Sequence, residues 1–138
     1  MSFATHAFEL SGLVTILALV LYIVMFMRVG SARAKYKIEA PAVTGNPDFE
    51  RVYRVQMNTL EQLPIFFAGL WLATIYFQWL GWLPAAVGLL WVVGRFMYMQ
   101  GYIAAAGKRS TGFLLSGVAA LALLIMALVG IVMAWGVS

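Results

Sequence analysis

The 138-residue chain contains no cysteine, which excludes disulfides, thiolate metal centres and a cysteine nucleophile. Its single histidine, His6, lies near the N-terminus, where a lone imidazole is expected to be a solvated bystander, so no metal centre is expected. Charge is scarce as well. Charged residues make up 10% of the chain and hydrophobic ones 64%, against about 25% charged in an average soluble domain. That balance excludes an ordinary soluble domain and implies an integral membrane protein. The N-terminus lacks the basic stretch and small-residue cleavage site of a signal peptide, so the first apolar segment is expected to be retained.

The uncharged blocks run from Leu10 to Met27, Gln62 to Gly94 and Ser110 to Ser138. A hydrocarbon core about 30 Å thick needs about 20 helical residues. The outer blocks therefore suit one crossing each. The middle block is long enough for two, divided at "WLGWLP", where Gly81 breaks a helix and Pro84 suits a first turn. The expected fold is an all-α, integral membrane, four-transmembrane-helix bundle forming one domain over residues 1–138. Its helices are expected at about Phe8–Lys37, Asp48–Trp79, Pro84–Ala106 and Thr111–Trp135. Asp48, following "NP", reads as the cap of the second helix, and Pro64 inside that helix is expected to bend it.

All nine cations, Arg28, Arg33, Lys35, Lys37, Arg51, Arg54, Arg95, Lys108 and Arg109, lie in or beside the first and third connections. By the positive-inside rule those connections face the cytoplasm and both termini face away. Topology accounts for the basicity, and nucleic-acid binding is not expected. The location this implies is a multi-pass position in a bacterial inner membrane or an endomembrane.

The stretch "FERVYRVQMNTLEQLPIFF" places charges at the mouth of the hydrocarbon, where a charged side chain needs a task or a partner. Arg51, Arg54, Asn58 and Glu61 are spaced 3, 4 and 3 apart, so they occupy about 80° of one helix surface. On the third helix Arg95, Tyr98 and Tyr102 are 3 and 4 apart, and Arg109 follows seven residues later. Both stripes lie toward the cytoplasmic end and could face one pocket. Guanidiniums pair with carboxylates, Glu61 could receive an ammonium, and Asn58 could hold a peptide bond. Glutathione fits that set, with two carboxylates, one ammonium, two amides and a thiol.

Simpler readings stand beside this one. Glu50 and Arg51 suit a solvated face, Arg54 and Glu61 could pair across two turns, and the two tyrosines could be an aromatic belt. Gln56 and Gln100 fall on the opposite sides of their helices from the stripes, so a role for either in one subunit's site is awkward and a partner subunit could use them.

The motifs "FERVYRVQMNTLEQLP" and "GRFMYMQGYIAAAGKRS", with the four-helix layout, resemble the MAPEG family, the membrane-associated proteins in eicosanoid and glutathione metabolism. The pattern E-R-x-x-R-x-Q-x-N-x-x-E-x-x-P is too long to arise from helix composition alone. The resemblance implies a homotrimer that binds glutathione as co-substrate between adjacent subunits near the cytoplasmic side. It implies glutathione contacts at Arg33, Arg54, Gln56, Asn58, Glu61, Tyr98 and Tyr102, and a thiol-activating role for Arg109. Three positions depart from the leukotriene C synthase branch, with Ala34 for a second arginine, Gln62 for a tyrosine and Leu121 for a tryptophan over the lipid chain. The glutathione half of the site is intact and the eicosanoid half is altered. The expected activity is therefore glutathione transfer to apolar electrophiles, with lipid-hydroperoxide peroxidase open as a side reaction.

A free thiol has a pKa of about 8.5 and reacts as thiolate, so a cation that stays charged, Arg109, raises the reactive fraction. Membrane lipid between the first and fourth helices would admit the hydrophobic co-substrate or lipid laterally. Two other classes compete. A lipid-binding member of the lipoxygenase-activating-protein type would lack the thiol-activating set, and a small proton-coupled exporter would carry its carboxylate near mid-membrane, whereas Glu61 sits at the edge among arginines.

Overall fold

Hydropathy and capping together fix where the helices begin and end. The computed structural model describes residues 6–136. It comprises α1 (Ala7–Tyr36), α2 (Pro47–Tyr76), α3 (Leu83–Ala104), a 3-10 turn (Ala106–Arg109) and α4 (Ser110–Gly136). Helices α1, α3 and α4 are long and apolar enough to cross a membrane. Helix α2 matches α1 at 30 residues, or about 45 Å at 1.5 Å per residue, but carries Asp48, Glu50, Arg51, Arg54 and Glu61 in its first half.

Three boundaries differ from expectation. The cap of α2 is Asn46 rather than Asp48: the Asn46 side chain accepts from the backbone N–H groups of Asp48 and Phe49 at 2.8 and 3.2 Å. Pro47 occupies the first turn, where its missing N–H costs nothing, and this moves the cap upstream. Helix α2 stops at Tyr76, not Trp79, with Phe77 leaving helical geometry at φ −95°, ψ 85°. Helix α3 stops at Ala104 because Ala105 is extended, and residues 106–109 continue as a 3-10 turn.

The core is a stack of rings and small residues. Phe66 of α2 lies flat on Trp91 of α3, with centroids 4.0 Å apart and planes within 4°, beside Leu70, Ala73, Ala119, Ala120, Leu123 and Ala127. Helix α4 approaches α3 through small residues, as membrane helices do when apolar tails give no drive for association. A Cβ on Gly112 would lie 2.2 Å from the Tyr98 backbone nitrogen, and one on Gly94 would lie 2.7 Å from that of Ser116. The outward faces of α1 and α4 expose Ile16, Val20, Phe26, Leu114, Leu121 and Leu128, apolar surface suited to lipid or to other helices.

Candidate functional site

The close approach at Gly112 places the 3-10 turn and the start of α4 over the last turns of α3. There Arg109 holds its guanidinium carbon 5.2 Å from the Tyr102 ring centroid. Tyr102 in turn lies 5.5 Å from the Tyr98 ring, and the Tyr98 hydroxyl accepts a hydrogen bond from Asn58 Nδ2 of α2 at 2.7 Å. Asn58, Tyr98, Arg109, Ser110 and Phe113 line one cavity of about 370 Å³, inside the roughly 300–1,000 Å³ range of small-molecule sites.

The tyrosines are not a belt. Tyr98 is 2% exposed and Tyr102 8%, so both are core residues, and the Tyr98 hydroxyl meets a polar neighbour in Asn58. Arg109 itself is exposed, available to an anion while its face rests on Tyr102.

The other candidates are placed differently. Arg54 and Glu61 are both exposed. Among the described residues the ion pairs are His6–Glu9 and Arg51–Asp48, so Arg54 and Glu61 do not pair with each other across the two turns between them. Arg51 is held at home by Asp48 and by the Ile103 carbonyl, which its Nε reaches at 3.4 Å. Gln56 points to the opposite side and donates to the Tyr22 hydroxyl at 3.2 Å, while Gln100 accepts from Arg28 at 3.2 Å. Arg33 stands apart. Its Nη1 donates to the carbonyls of Ala42 and Ile38 at 2.7 and 3.4 Å, its guanidinium lies 5.0 Å over the Phe49 ring, and it lines a separate open groove with Lys37 and Glu39.

The chain thus brings together Asn58, Tyr98, Tyr102 and Arg109, and leaves Arg33, Arg54, Gln56 and Glu61 outside that cluster. Two cavity residues escaped the sequence reading, Ser110 and Phe113. Ser110 directly follows Arg109 and opens α4; Gly107 signals an interruption of the third helix nearby, but nothing in the sequence places the break at Ala105. Arg95, on the same stripe as the tyrosines, does not reach the cavity lining. It is 1% exposed, with its guanidinium carbon 4.5 Å from the Tyr98 ring centroid and 5.9 Å from that of Trp91. Among the described residues no three histidine, aspartate or glutamate side chains gather to hold a metal.

An all-helical protein with three membrane-length apolar helices is a membrane protein, here with a cavity lined by both polar and apolar side chains at one end of the bundle. The sequence profile of the MAPEG family matches residues 11–129, and the chain belongs to that family. It is 50% identical to human microsomal glutathione S-transferase 2 over 103 residues, 74% of this chain and 69% of that one. It is 40% identical to bovine leukotriene C4 synthase over 96 residues, 70% of this chain and 63% of the synthase. An uncharacterized protein of Synechocystis is 49% identical over 120 residues, 87% of this chain and 86% of that protein.

Proposed function

We propose that this MAPEG protein is a membrane glutathione transferase that holds glutathione as thiolate and presents it to apolar electrophiles arriving through the lipid. The observation that carries the reading is the convergence of Asn58, Tyr98 and Arg109, from three different elements, on one cavity. Two relatives named for glutathione transfer and for leukotriene C4 synthesis align over 70% or more of the chain.

Arg109 is the catalytic residue. The thiol gives up its proton to solvent and the resulting thiolate rests against a guanidinium that does not deprotonate. The sulfur electron pair then forms the new C–S bond, while the leaving group or opened ring departs with the electron pair of the broken bond. Reduction of lipid hydroperoxides by the same thiolate is a side reaction of this site. Tyr98 and Asn58 hydrogen-bond the ligand from the α2 and α3 side, with Tyr102 supporting Arg109 from below.

Arg54 and Glu61 meet the carboxylate and ammonium ends of glutathione, with Arg33 and Gln56 completing the set. That these four lie outside the cavity of their own subunit supports a site shared between subunits, and membership of the MAPEG family supports a homotrimer as the assembly. Each subunit is one four-helix domain with α2 as its fourth crossing. The basic connections are cytoplasmic, which puts the cavity on the side where glutathione is abundant.

Equilibrium binding of glutathione to the detergent-solubilised full chain, with thiolate ultraviolet absorbance as the second readout, tests the chemistry. Saturable binding with a new thiolate band is expected, and binding without the band would remove Arg109 from its role. A reporter fused after the C-terminus should read as non-cytoplasmic; a cytoplasmic signal would invert the orientation and separate the cavity from cytosolic thiol.

A further inference from the structure

Arg95 is the least comfortable residue in the bundle. Its side chain is buried, and its Nε and Nη1 atoms have no hydrogen-bond partner in the protein. Burying a guanidinium is costly unless it is paired, and exchanging such a charge for a well-packed apolar residue is often neutral or stabilising. What surrounds it is aromatic: the Trp91 ring at 5.9 Å and the Tyr98 ring at 4.5 Å. A desolvated cation over an aromatic face is attracted to it, so the guanidinium is tied to Tyr98, the phenol among the residues that line the candidate cavity. Asn58 Nδ2 donates to the Tyr98 hydroxyl, which leaves the phenol its own hydrogen to donate. A cation against the ring face and a donor on the oxygen both withdraw electron density, and both make the O–H a stronger donor.

We propose that Arg95 is a positioning residue that clamps the Tyr98 ring and strengthens the hydrogen bond its hydroxyl donates into the cavity shared with Asn58 and Arg109. Arg95 touches no ligand. It acts only through Tyr98, whose O–H and the Arg109 guanidinium then approach one anionic sulfur from two sides. The ligand's identity rests on the glutathione reading above, whereas the clamp is a property of the protein alone.

The test compares the full-length wild type with Arg95→Met, Tyr98→Phe and the double variant in detergent, using glutathione and an activated aryl chloride as substrates. Arg95→Met is expected to lower kcat about tenfold with KM for glutathione held within about twofold, and to weaken the thiolate absorbance. In the Tyr98→Phe background the same change should have no further effect, since interaction through one group is non-additive. Losses that multiply in the double variant would overturn the proposal, as would a loss confined to KM. If Arg95→Met does not fold, Arg95→Lys keeps the charge and enters the same cycle with the same overturning outcome. Carbon-13 labelling of tyrosine supplies a readout free of ligand: replacing Arg95 should shift the Tyr98 Cζ resonance, and an unmoved resonance overturns the clamp. A wild type that shows no glutathione binding while that resonance shifts would instead remove the glutathione reading and leave the clamp standing.

Discussion

At the end of the bundle where α1 begins and α2 finishes, buried and half-buried polar groups form a connected network. Trp71 Nε1 donates to Thr15 Oγ1 at 3.1 Å, and Thr15 passes its own hydrogen to the Ser11 carbonyl at 2.8 Å. Thr74 spends its single hydrogen on the Leu70 carbonyl at 2.7 Å, so in the 2.7 Å contact between Ser11 and Thr74 the serine must be the donor. Nothing there asks for a further partner. At the opposite end the pattern is reversed. Arg109, Arg54 and Glu61 are exposed, Arg95 keeps two buried donors unpaired, and the Tyr98 hydroxyl receives a hydrogen bond while retaining a hydrogen of its own. Both ends place polar atoms between helices, but the Ser11 and Thr74 network is complete within itself, whereas Arg95 at the other end is not. A completed network pins the helices it joins, and a buried donor left without a partner calls for an explanation.

The open end should be sensitive in catalysis, and Arg109 is expected to give the largest effect. A thiol with a pKa of about 8.5 is only about 3% ionised at pH 7, so if Arg109 holds a bound thiol fully ionised, removing it should cost turnover about thirtyfold. Glutathione affinity should be nearly unchanged in Arg109→Ala. Its rate should climb as pH rises toward the pKa of the unaided thiol, because the ionised fraction increases about tenfold per pH unit below that value. Turnover against glutathione concentration at several pH values checks this. Full recovery at saturating glutathione and neutral pH would make Arg109 a binding residue.

Arg54 and Glu61 should follow with a smaller effect of a different kind. Loss of one charged hydrogen bond at an exposed position is worth about 1.5 kcal/mol, close to a tenfold weakening of glutathione binding with kcat retained at saturation. If these residues serve the neighbouring subunit's cavity, mixed assemblies of Arg54→Ala and Arg109→Ala subunits should regain part of the activity that each lacks alone. Verified mixtures that stay inactive would place the whole site within one chain.

How much of this was legible in the sequence follows from the range of each signal. Four helices could be read because hydropathy and proline or glycine breaks act locally, and the spacing of Asn58, Tyr98 and Arg109 pointed to the residues that gather. The cap was misplaced by two residues because Asp and Asn are equivalent caps in isolation, and only Pro47 in the first turn decides for Asn46. Gly107 marks an interruption nearby, but the extended residue at Ala105 has no composition signal of its own. It depends on α4 settling onto α3 at Gly112 and Gly94, a contact between segments that sequence spacing does not report. Burial of Tyr98 and Tyr102 was equally hidden, since a tyrosine near a helix end looks the same whether it faces headgroups or the core.

The closed end should respond least, and in stability alone. Replacing Ser11 by alanine leaves Thr74 bonded to the Leu70 carbonyl, so no buried donor is orphaned. Replacing Thr74 by valine removes the acceptor of the Ser11 hydroxyl and leaves a buried hydrogen without its partner, which makes it the costlier change. Hydrogen bonds between membrane helices average about 0.6 kcal/mol and reach about 1.7, so both effects should be small. The double variant should be less destabilised than the sum of the two, because with both hydroxyls gone nothing is left unpaired. Thermal unfolding in detergent measures the ordering, and turnover should match wild type in all three variants. A loss of turnover without a loss of stability would show that the two ends are coupled.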